Sequence, residues 1–255
     1  LGEGVTFFLL IIAGAIFVFR AVRRELKISA QQQTFMIAIT HELKTPISVA
    51  KLNLETIQKR KLDEQQLKRL LQNTLEETNR LDALCNNMLL SSQIETCAYR
   101  IANEETDLSK LIEKCVQDFK TRFPLQKIET HINSGIFIYG DRLLLQMLAN
   151  NLVDNAIKYN QKDEPISIAL SEKNSKVFFQ VKDKGKGIAA AEREKVFTKF
   201  YRSGNEATRA AKGTGLGLYL CKKIAQQHNA NISMTENEGA GSIFTVTLHS
   251  SIENT

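Results

Sequence analysis

The hexapeptide His41 to Pro46, His-Glu-Leu-Lys-Thr-Pro, carries the residue types that nucleophilic and proton-transfer chemistry require. Apolar residues around it recur at steps of three and four, which predicts one stripe of a bundle helix. That stripe consists of Met36, Ile39, Leu43, Ile47, Ala50, Leu54 and Ile57. His41 lies two residues from both Ile39 and Leu43, so its imidazole is expected to point about 200° away, towards solvent. An exposed imidazole is free to titrate and to act as a nucleophile.

The neighbours of His41 favour chemistry over the simpler alternative of an ordinary surface histidine. Glu42 supplies an adjacent carboxylate that can orient the ring or accept its proton. Thr45 lies one helical turn later, on the same face as His41. Pro46 falls inside the helical pattern, where it removes one backbone hydrogen bond at a cost of about 3 kcal/mol. Because the apolar stripe continues beyond Pro46, the pattern predicts a tolerated kink and not a helix end.

Charge and cysteine content exclude several classes of function. The net charge is +6, but much of the excess is a local cluster: Arg20, Arg23, Arg24 and Lys27. No basic stripe interleaved with aromatic residues occurs elsewhere, so no nucleic-acid partner is expected. The cysteines are scattered without a Cys-x-x-Cys pair and are expected to be reduced and buried, forming neither a disulfide nor a metal site: Cys85, Cys97, Cys115 and Cys221.

An uncharged apolar run precedes the basic cluster. It extends from Val5 to Phe19, and with its flanks, over residues 1–22, it approaches the roughly 20 residues that span a bilayer. A signal peptide has its basic residues before the apolar core, whereas here they follow it. We therefore predict a transmembrane helix at 1–22 in the inner (cytoplasmic) membrane, with the basic side in the cytoplasm. The alternative is a buried helix of a soluble domain. The chain lacks an initial Met, so more protein is expected upstream.

The next segments predict a helical linker at 23–33 and a helical hairpin at 34–98. Its helices are expected at about 30–60 and 64–97, joined by a charged bend from Lys59 to Glu64. Two antiparallel helices cannot bury both of their apolar stripes, but two hairpins can form a four-helix bundle. The pattern therefore predicts a homodimer with an all-α dimerisation domain.

From about residue 104 to 251 the pattern becomes mixed, which predicts an α+β sandwich with a largely antiparallel sheet. The predicted helices are 107–122, with Asp107 near its N-cap, 141–159 and 216–228. The predicted strands are 127–132, 136–139, 166–170, 177–181, 231–235 and 242–248. The polar segment 202–213 is predicted to be a mobile loop.

Nucleotide chemistry is indicated by side chains on the helix at 141–159. Asn151 and Asn155 are one turn apart, and Lys158 follows three residues later. Two carboxamide oxygens and an ammonium on one face suit Mg²⁺ and phosphate oxygens. A polar helix face without any ligand is the alternative for this stretch taken alone.

A second cluster, Asp183 to Ile188, follows a predicted strand. Gly185 and Gly187 allow a tight turn and a close approach of the backbone to a ligand. Asp183 can accept a hydrogen bond from an exocyclic amine such as that of adenine. Calcium loops and plain turns have a similar pattern. Further along, Phe197 and Phe200 either clamp the base of a lid or simply anchor the core, and the stretch alone favours core anchors.

A glycine-rich segment opens the helix predicted at 216–228. Successive backbone N–H groups and a helix N-terminus make an anion site. The segment is neither a P-loop nor a dinucleotide fingerprint, because no Gly-Lys-Ser/Thr follows and no strand leads into it. A flexible glycine turn is the alternative. The residues concerned are Gly213, Thr214, Gly215, Leu216 and Gly217.

Taken together, residues 30–250 resemble the sensor histidine kinases of two-component systems. His41 to Pro46 resembles the phosphoacceptor box of that family, and Asn151 to Tyr159 its asparagine box. Asp183 to Ile188 and Gly213 to Leu218 are similar to its two glycine boxes, and Phe197 with Phe200 to its phenylalanine box. The resemblance implies a HisKA-type dimerisation domain followed by a Bergerat-type ATP-binding domain, without degeneration of any box.

The resemblance also implies roles for individual residues. His41 would be the phosphorylated nucleophile, Glu42 its acid/base partner, and Thr45 the residue that positions water when a phosphorylated regulator is dephosphorylated. The remaining implied roles concern Mg·ATP. Asn151 and Asn155 would hold Mg²⁺, and Lys158 would touch phosphates. Around adenine, Tyr159 would pack near the base, Asp183 would bind its amine, and Gly185 and Gly187 would shape the loop of Asp183.

The phosphate end of the site would be formed by the glycine-rich segment, with Arg202 as a further phosphate contact. The residues of that segment are Gly213, Thr214, Gly215, Leu216 and Gly217.

These roles imply a membrane-bound, homodimeric kinase that phosphorylates His41 from ATP and passes the phosphoryl group to an aspartate on a separate response-regulator receiver domain. They also imply a phosphatase activity towards that regulator. Two alternatives remain at this point: an ATPase clamp of the gyrase, chaperone or mismatch-repair type, and an ATP-sensing membrane scaffold without enzymatic activity.

Overall fold

Two long helices form the N-terminal part of the chain in the computed structural model, which describes residues 2–95, 99–201 and 214–251. Helix α1 runs without interruption from Gly2 to Lys59 and includes Pro46, so the helix continues through the proline as predicted. Helix α2 runs from Glu64 to Glu95 and packs antiparallel against α1. The helical linker predicted at 23–33 is therefore part of α1, which joins the N-terminal apolar run to His41 without a break.

The apolar beginning of α1 is the one described segment long and apolar enough to cross a membrane, judged by length and composition. None of its most apolar window is buried against the rest of the chain (0%). The alternative from the sequence was a buried helix of a soluble domain. In the structure, however, this segment does not pack against the rest of the described chain.

The bend between the two helices is held by local hydrogen bonds. Gln66 N donates to Asp63 Oδ1 at 2.7 Å, and Asp63 N donates to Gln66 Oε1 at 3.4 Å. This reciprocal pair satisfies backbone donors that the start of a helix leaves free. The bend fixes which residues of α1 and α2 face each other further along the hairpin.

The remaining described elements form an α/β domain. Its helices are α3 (Leu108–Arg122), α4 (Arg142–Tyr159) and α5 (Gly217–Gln227). Its strands are β1 (Glu104–Asp107), β2 (Ile128–Ile132), β3 (Phe137–Gly140), β4 (Ile166–Lys173), β5 (Lys176–Lys182), β6 (Asn231–Glu236) and β7 (Ser242–His249). Two short 3-10 turns lie at Ala190–Glu192 and Lys195–Phe197.

The main sheet has five strands in the order β2-β4-β5-β7-β6. Only the β2–β4 pair is parallel, so the prediction of a largely antiparallel sheet is confirmed. Inward-facing residues meet across three strands, since Ile168 pairs with Val181 and Val181 with Phe244. These three side chains are at most 1% exposed, and they form the layer against which the helices pack.

Strand β1 was not predicted from the sequence. It pairs antiparallel with β3 in a separate two-stranded sheet. Its sequence, Glu-Glu-Thr-Asp, has only Thr106 buried, so it shows no apolar alternation that would mark a strand.

The α/β domain contacts the helical hairpin near the end of α2. Leu90 and Ile94 of α2 are each 6% exposed and belong to the same buried cluster as the α/β core. This contact places the domain beside the part of α1 that precedes His41, because the two helices run in opposite directions.

Three expectations lie outside the described residues, and a fourth needs correction. The predicted end of the second helix at 97, the loop 202–213 and Cys97 lie outside the described residues. Cys115 and Cys221 are buried as expected, but Cys85 is exposed, because it lies on a face of α2 that α1 does not cover.

Candidate functional site

His41 lies on the exposed face of α1, as the spacing predicted. Its side chain is exposed, whereas Ile39, two residues earlier, is only 5% exposed. One turn later, the Thr45 hydroxyl donates to the backbone oxygen of His41 at 3.1 Å. The hydroxyl proton is thereby used within the helix, and the hydroxyl oxygen keeps its capacity to accept a hydrogen bond.

Glu42, next to His41, forms an ion pair with α2. Arg80 Nη2 donates to Glu42 Oε2 at 3.1 Å. Arg80 Nη1 also lies 3.9 Å from Glu77 Oε2, which is within ion-pair range but too long for a hydrogen bond. Sequence reasoning missed Arg80, because its partner is 38 residues away and no local pattern marks the pair.

Helix α4 begins at a well-capped N-terminus that fixes the position of its asparagines. Asp141 Oδ1 accepts from the backbone N–H of Leu143 and Leu144 at 3.0 and 3.1 Å. Its other oxygen accepts from Tyr99 Oη and Ala102 N at 3.0 and 3.1 Å. Burial opposes ionisation of Asp141, but these hydrogen bonds outweigh it and lower its pKa.

Asn151 and Asn155 lie one turn apart on α4, close to the beginning of α5. Asn151 Nδ2 donates to Met147 O at 2.9 Å, which leaves its Oδ1 able to accept or coordinate. That oxygen lies about 3.0 Å from where a Cβ on Gly217 would be, so α5 starts against Asn151. Asn155 is half-buried, and its amide bonds to no other residue in the described ranges.

Lys158 and Tyr159 end the same helix. The Lys158 ammonium lies 5.1 Å from the centroid of the Tyr159 ring, which is within the range of a cation–π contact. The Tyr159 side chain is 43% exposed and is therefore available as an aromatic surface.

Asp183 is a buried carboxylate at the end of β5, and it is 2% exposed. Its Oδ1 accepts from the backbone N–H of Gly185 at 2.8 Å and of Ser242 at 3.3 Å. Burial raises the pKa of Asp183, and the two backbone hydrogen bonds only partly offset that effect. Both bonds end on Oδ1, so Oδ2 can still accept a hydrogen bond from a ligand.

Two glycines allow the backbone to come close around Asp183. A Cβ on Gly185 would collide with the backbone oxygen of Tyr159, and one on Gly241 would collide with the backbone oxygen of Asp183. Gly241 also has φ = +110°, a conformation that side chains rarely adopt. Sequence reasoning identified Gly185 but missed Gly241 and Ser242, since these two residues lie 58 and 59 positions after Asp183 in the chain.

The segment that follows residues 202–213 is fixed where it re-enters the domain. Phe200 N donates to Gly215 O at 3.2 Å, and a Cβ on Gly215 would lie about 2.8 Å from the Tyr201 oxygen. Leu216, which is 1% exposed, then starts α5 without a side-chain cap. N–H groups at a helix N-terminus of this kind can bind an anion, and anion binding here stays a prediction. Arg202 and Gly213 lie outside the described residues.

The two phenylalanines predicted as a pair have different surroundings. Phe197 is 6% exposed and meets Phe244 edge-on with ring centroids 6.2 Å apart, so it anchors the core. Phe200 is half-buried with φ = +66°, and it points out of the domain towards α1. The core-anchor interpretation therefore holds for Phe197 and not for Phe200.

Comparison with known protein families agrees with this geometry. Residues 31–97 match the family model described as "His Kinase A (phospho-acceptor) domain". Residues 140–252 match the model described as "Histidine kinase-, DNA gyrase B-, and HSP90-like ATPase". The second match supports ATP binding by the α/β domain.

Curated relatives cover nearly all of the chain. It is 30% identical over 230 residues to the sensor-like histidine kinase SenX3 of Mycobacterium tuberculosis, covering 89% of this chain and 56% of that protein. It is 28% identical over 240 residues to the sensor protein SrrB of Staphylococcus aureus, covering 92% and 41%. The chain thus spans about half the length of these relatives.

Solved structures have the same fold. The Acinetobacter baumannii histidine kinase AdeS is 26% identical with a TM-score of 0.57, covering 83% of this chain and 98% of that one. The mycobacterial sensor histidine kinase MprB, at 23% identity and a TM-score of 0.52, covers 58% and 97% and shows the fold alone. With an exposed histidine on a helical hairpin and an ATP-binding α/β domain beside it, the chain belongs to the sensor histidine kinases of two-component systems.

Proposed function

We propose that this chain is the kinase part of a membrane-anchored, homodimeric sensor kinase. It transfers the γ-phosphoryl group of ATP to His41 and then to an aspartate on the receiver domain of a separate response regulator. The observation that carries the proposal is the exposed His41 beside Glu42, on a hairpin against which the ATP-binding domain is packed. The assignment of the individual site residues is part of the proposal.

The first reaction is an attack of a His41 ring nitrogen on the γ-phosphorus. A nitrogen–phosphorus bond forms, the bond from the γ-phosphorus to the bridging oxygen breaks, and ADP leaves with that oxygen. The ring loses a proton, which Glu42 accepts as the adjacent carboxylate. Most of the catalysis comes from positioning and from neutralising charge, as in other phosphoryl transfers. In the second reaction the receiver aspartate takes the phosphoryl group from His41.

The ATP-binding domain offers suitable groups along one path. Asp183 Oδ2 accepts from the adenine amine, and the exposed Tyr159 ring supplies an apolar surface beside it. The N–H groups at the start of α5, from Thr214 to Gly217, bind phosphate oxygens at the other end. Lys158 adds a positive charge near those oxygens, and Arg202 and Gly213 are assigned to the same phosphate end.

The residues of α4 fit a magnesium ion. Asn155 has an amide without a partner in the described ranges, and Asn151 keeps its oxygen free because its nitrogen bonds to Met147. Mg²⁺ prefers oxygen ligands and is usually held by few protein groups together with phosphates. When bound, it neutralises charge on the phosphates that leave with ADP.

Homodimerisation is supported by apolar residues that one hairpin leaves exposed. Ile47, Leu52 and Leu54 on α1 are 53%, 63% and 52% exposed, and Leu71 and Leu75 on α2 are 50% and 54% exposed. Exposed apolar surface of this extent on a soluble helical hairpin is typical of an interaction site. A second copy supplies the matching hairpin of a four-helix bundle.

Membrane anchoring is supported by the start of α1. Its apolar segment is exposed and is followed by Arg20, Arg23 and Arg24, and a basic flank of this kind is typical of the cytoplasmic side of a membrane helix. We therefore assign the protein to the inner membrane, with the kinase domains in the cytoplasm.

The Thr45 hydroxyl oxygen, one turn after His41, supports a further phosphatase reaction in which it orients a water molecule.

One experiment separates this proposal from an ATPase clamp and from an ATP-sensing scaffold. The full chain in detergent or nanodiscs is incubated with labelled ATP, and acid-labile, base-stable phosphate on the protein is measured. His41→Gln is expected to abolish the label while ATP affinity stays unchanged. His131→Gln, at an exposed histidine on β2, is the matched control and is expected to keep the label. Undiminished label in His41→Gln rejects the assignment.

A further inference from the structure

We propose that Arg80 is a positioning residue for phosphoryl transfer, which fixes the Glu42 carboxylate beside His41 from the opposite helix of the hairpin. The inference rests on the proposed function, because it takes Glu42 to be the group that accepts the histidine proton. Arg80 acts through Glu42 and is not assigned any contact with the phosphoryl group.

The geometry of the pair is that of a directed hydrogen bond and not of a loose surface contact. Arg80 Nη2 lies 3.1 Å from Glu42 Oε2, and the Glu42 side chain is only 14% exposed. An ion pair that is partly withdrawn from water is screened less than an exposed one. A charge-assisted hydrogen bond from a planar guanidinium also fixes direction, because the donors of Arg are held in a rigid fork.

The position of Glu42 explains why its carboxylate needs to be held. Glu42 is rotated by about 100° from His41 around the helix. A flexible glutamate at that position has several rotamers, only some of which bring the carboxylate near the imidazole. The bond to Arg80 restricts those rotamers. The Glu42 side chain therefore loses its conformational entropy when the protein folds, and not when ATP binds.

A second carboxylate, that of Glu77, also lies near the Arg80 guanidinium. Glu77 Oε2 lies 3.9 Å from Arg80 Nη1, so two carboxylates share one guanidinium. Glu77 Oε2 is also buried without a hydrogen bond to any residue in the described ranges. Without the arginine, both carboxylates would lose the cation that they share, and Glu42 would lose the hydrogen bond that directs its side chain. Arg80 is therefore the shared partner of both carboxylates and fixes the direction of Glu42 on the hairpin.

The test uses the full chain in nanodiscs and separates positioning from folding. Initial rates of His41 phosphorylation are measured against ATP concentration for wild type, Arg80→Met, Arg80→Lys and Glu42→Gln. Arg80→Met is expected to lower kcat by about tenfold or more with KM for ATP within about twofold, since general acid–base groups contribute roughly 100-fold or more. Arg80→Lys restores part of kcat, because it keeps the charge but loses the fork.

Two further variants show whether Arg80 acts through Glu42. The double variant Glu42→Gln/Arg80→Met is expected to be no slower than Glu42→Gln alone, since residues that act as a unit are not additive. Glu77→Gln keeps the Glu42–Arg80 bond and is expected to retain the wild-type kcat and melting temperature, which serves as the matched control for the hairpin.

The outcomes are distinguishable. A wild-type kcat in Arg80→Met, or losses that multiply in the double variant, overturns the positioning role while the proposed function stands. A loss of kcat in Glu77→Gln equal to that in Arg80→Met would assign Arg80 to hairpin packing alone, and this result also overturns the positioning role. Absence of label on His41 in wild type refutes the proposed function itself, and the inference with it.

Discussion

The rings of Phe35 and Phe200 stack on each other with centroids 3.6 Å apart and an interplanar angle of 23°. Phe35 belongs to α1, six residues or about 9 Å along the axis before His41. Phe200 belongs to the α/β domain, and its backbone N–H donates to Gly215 just before α5. The stack therefore joins the segment just before α5, the proposed phosphate end of the ATP site, to the helix that carries His41, the proposed phosphoacceptor.

Phe35→Ala is expected to loosen this contact without changing ATP affinity. Aromatic pairs contribute about 0.5–1.5 kcal/mol beyond the area that they bury. Backbone hydrogen exchange of residues 216–220 should therefore become faster, because local opening costs less free energy. Ile37→Ala removes an exposed apolar side chain two residues away and is the matched control. Exchange that is equally fast in Phe35→Ala and wild type would show that the stack contributes nothing to docking.

Asn155→Ala is expected to remove the stabilisation that Mg·ATP gives, without unfolding the domain. A ligand at 100 times its dissociation constant stabilises the native state by about 2.7 kcal/mol, which thermal melts detect readily. Melts with and without Mg·ATP should differ for wild type and coincide for Asn155→Ala. The control is Asp154→Ala, since Asp154 is exposed on the same turn of α4. A ligand-induced shift that survives in Asn155→Ala would contradict the assignment.

Thr45→Ala is expected to weaken dephosphorylation of the regulator more than autophosphorylation. The Thr45 hydroxyl donates to His41 O, so its oxygen can orient a water molecule near the phosphoryl group without taking part in the attack by the imidazole. Both activities are measured on one preparation with one regulator. Thr45→Ser keeps the hydroxyl and should keep both. An equal loss of both activities in Thr45→Ala would instead assign Thr45 to the helix, through its bond to the backbone.

Asp183→Asn is expected to abolish ATP binding while the nucleotide-free domain becomes as stable as wild type or more so. Burial raises the pKa of Asp183 above the usual value of about 3.9. Its ionisation therefore costs folding free energy: the cost is absent below the ordinary pKa, grows as pH rises between the ordinary and the raised value, and stays constant above. Asn keeps an oxygen for Gly185 N–H but cannot ionise.

Denaturant melts over a pH series check this prediction. Wild type without nucleotide should lose stability as pH rises through that interval, and Asp183→Asn should lose less. Asp154→Asn, at an exposed carboxylate, should follow wild type. Equal pH dependence in wild type and Asp183→Asn would mean that the buried carboxylate is not a source of the instability.

Features whose cause is local in sequence were predicted well. Asp107 was expected near the cap of a helix, and its Oδ1 accepts from Lys110 N at 3.0 Å. This bond is the main reason that its pKa is lowered. Strands β4, β5 and β7 were likewise predicted, because buried and more exposed residues alternate along each of them. Strand β1 was missed because pairing with β3, and not its own composition, makes it a strand.

In the site, the chain-distant contacts could not be predicted. The motifs around Asn151, Asp183 and Gly215 could be found from the sequence, because glycine positions and helix spacing are visible within a few residues of each. The bonds of Asp183 to Ser242 and of Glu42 to Arg80 join residues 59 and 38 positions apart. Nothing in either local sequence selects the partner, since many exposed arginines and backbone N–H groups are equivalent until the tertiary fold brings one of them close.

Helix α1 is unbroken from the apolar segment to beyond His41. The rotation of the apolar segment about the helix axis, relative to His41, is therefore fixed by the number of residues between them. One residue inserted between Arg24 and Phe35 rotates the preceding part of α1 by about 100° relative to His41 and displaces it by about 1.5 Å. Seven inserted residues return it to within about 20° of its original angle. The output at His41 is therefore expected to vary periodically with the length of this segment, because the continuous helix carries a twist applied at its start to both Phe35 and His41.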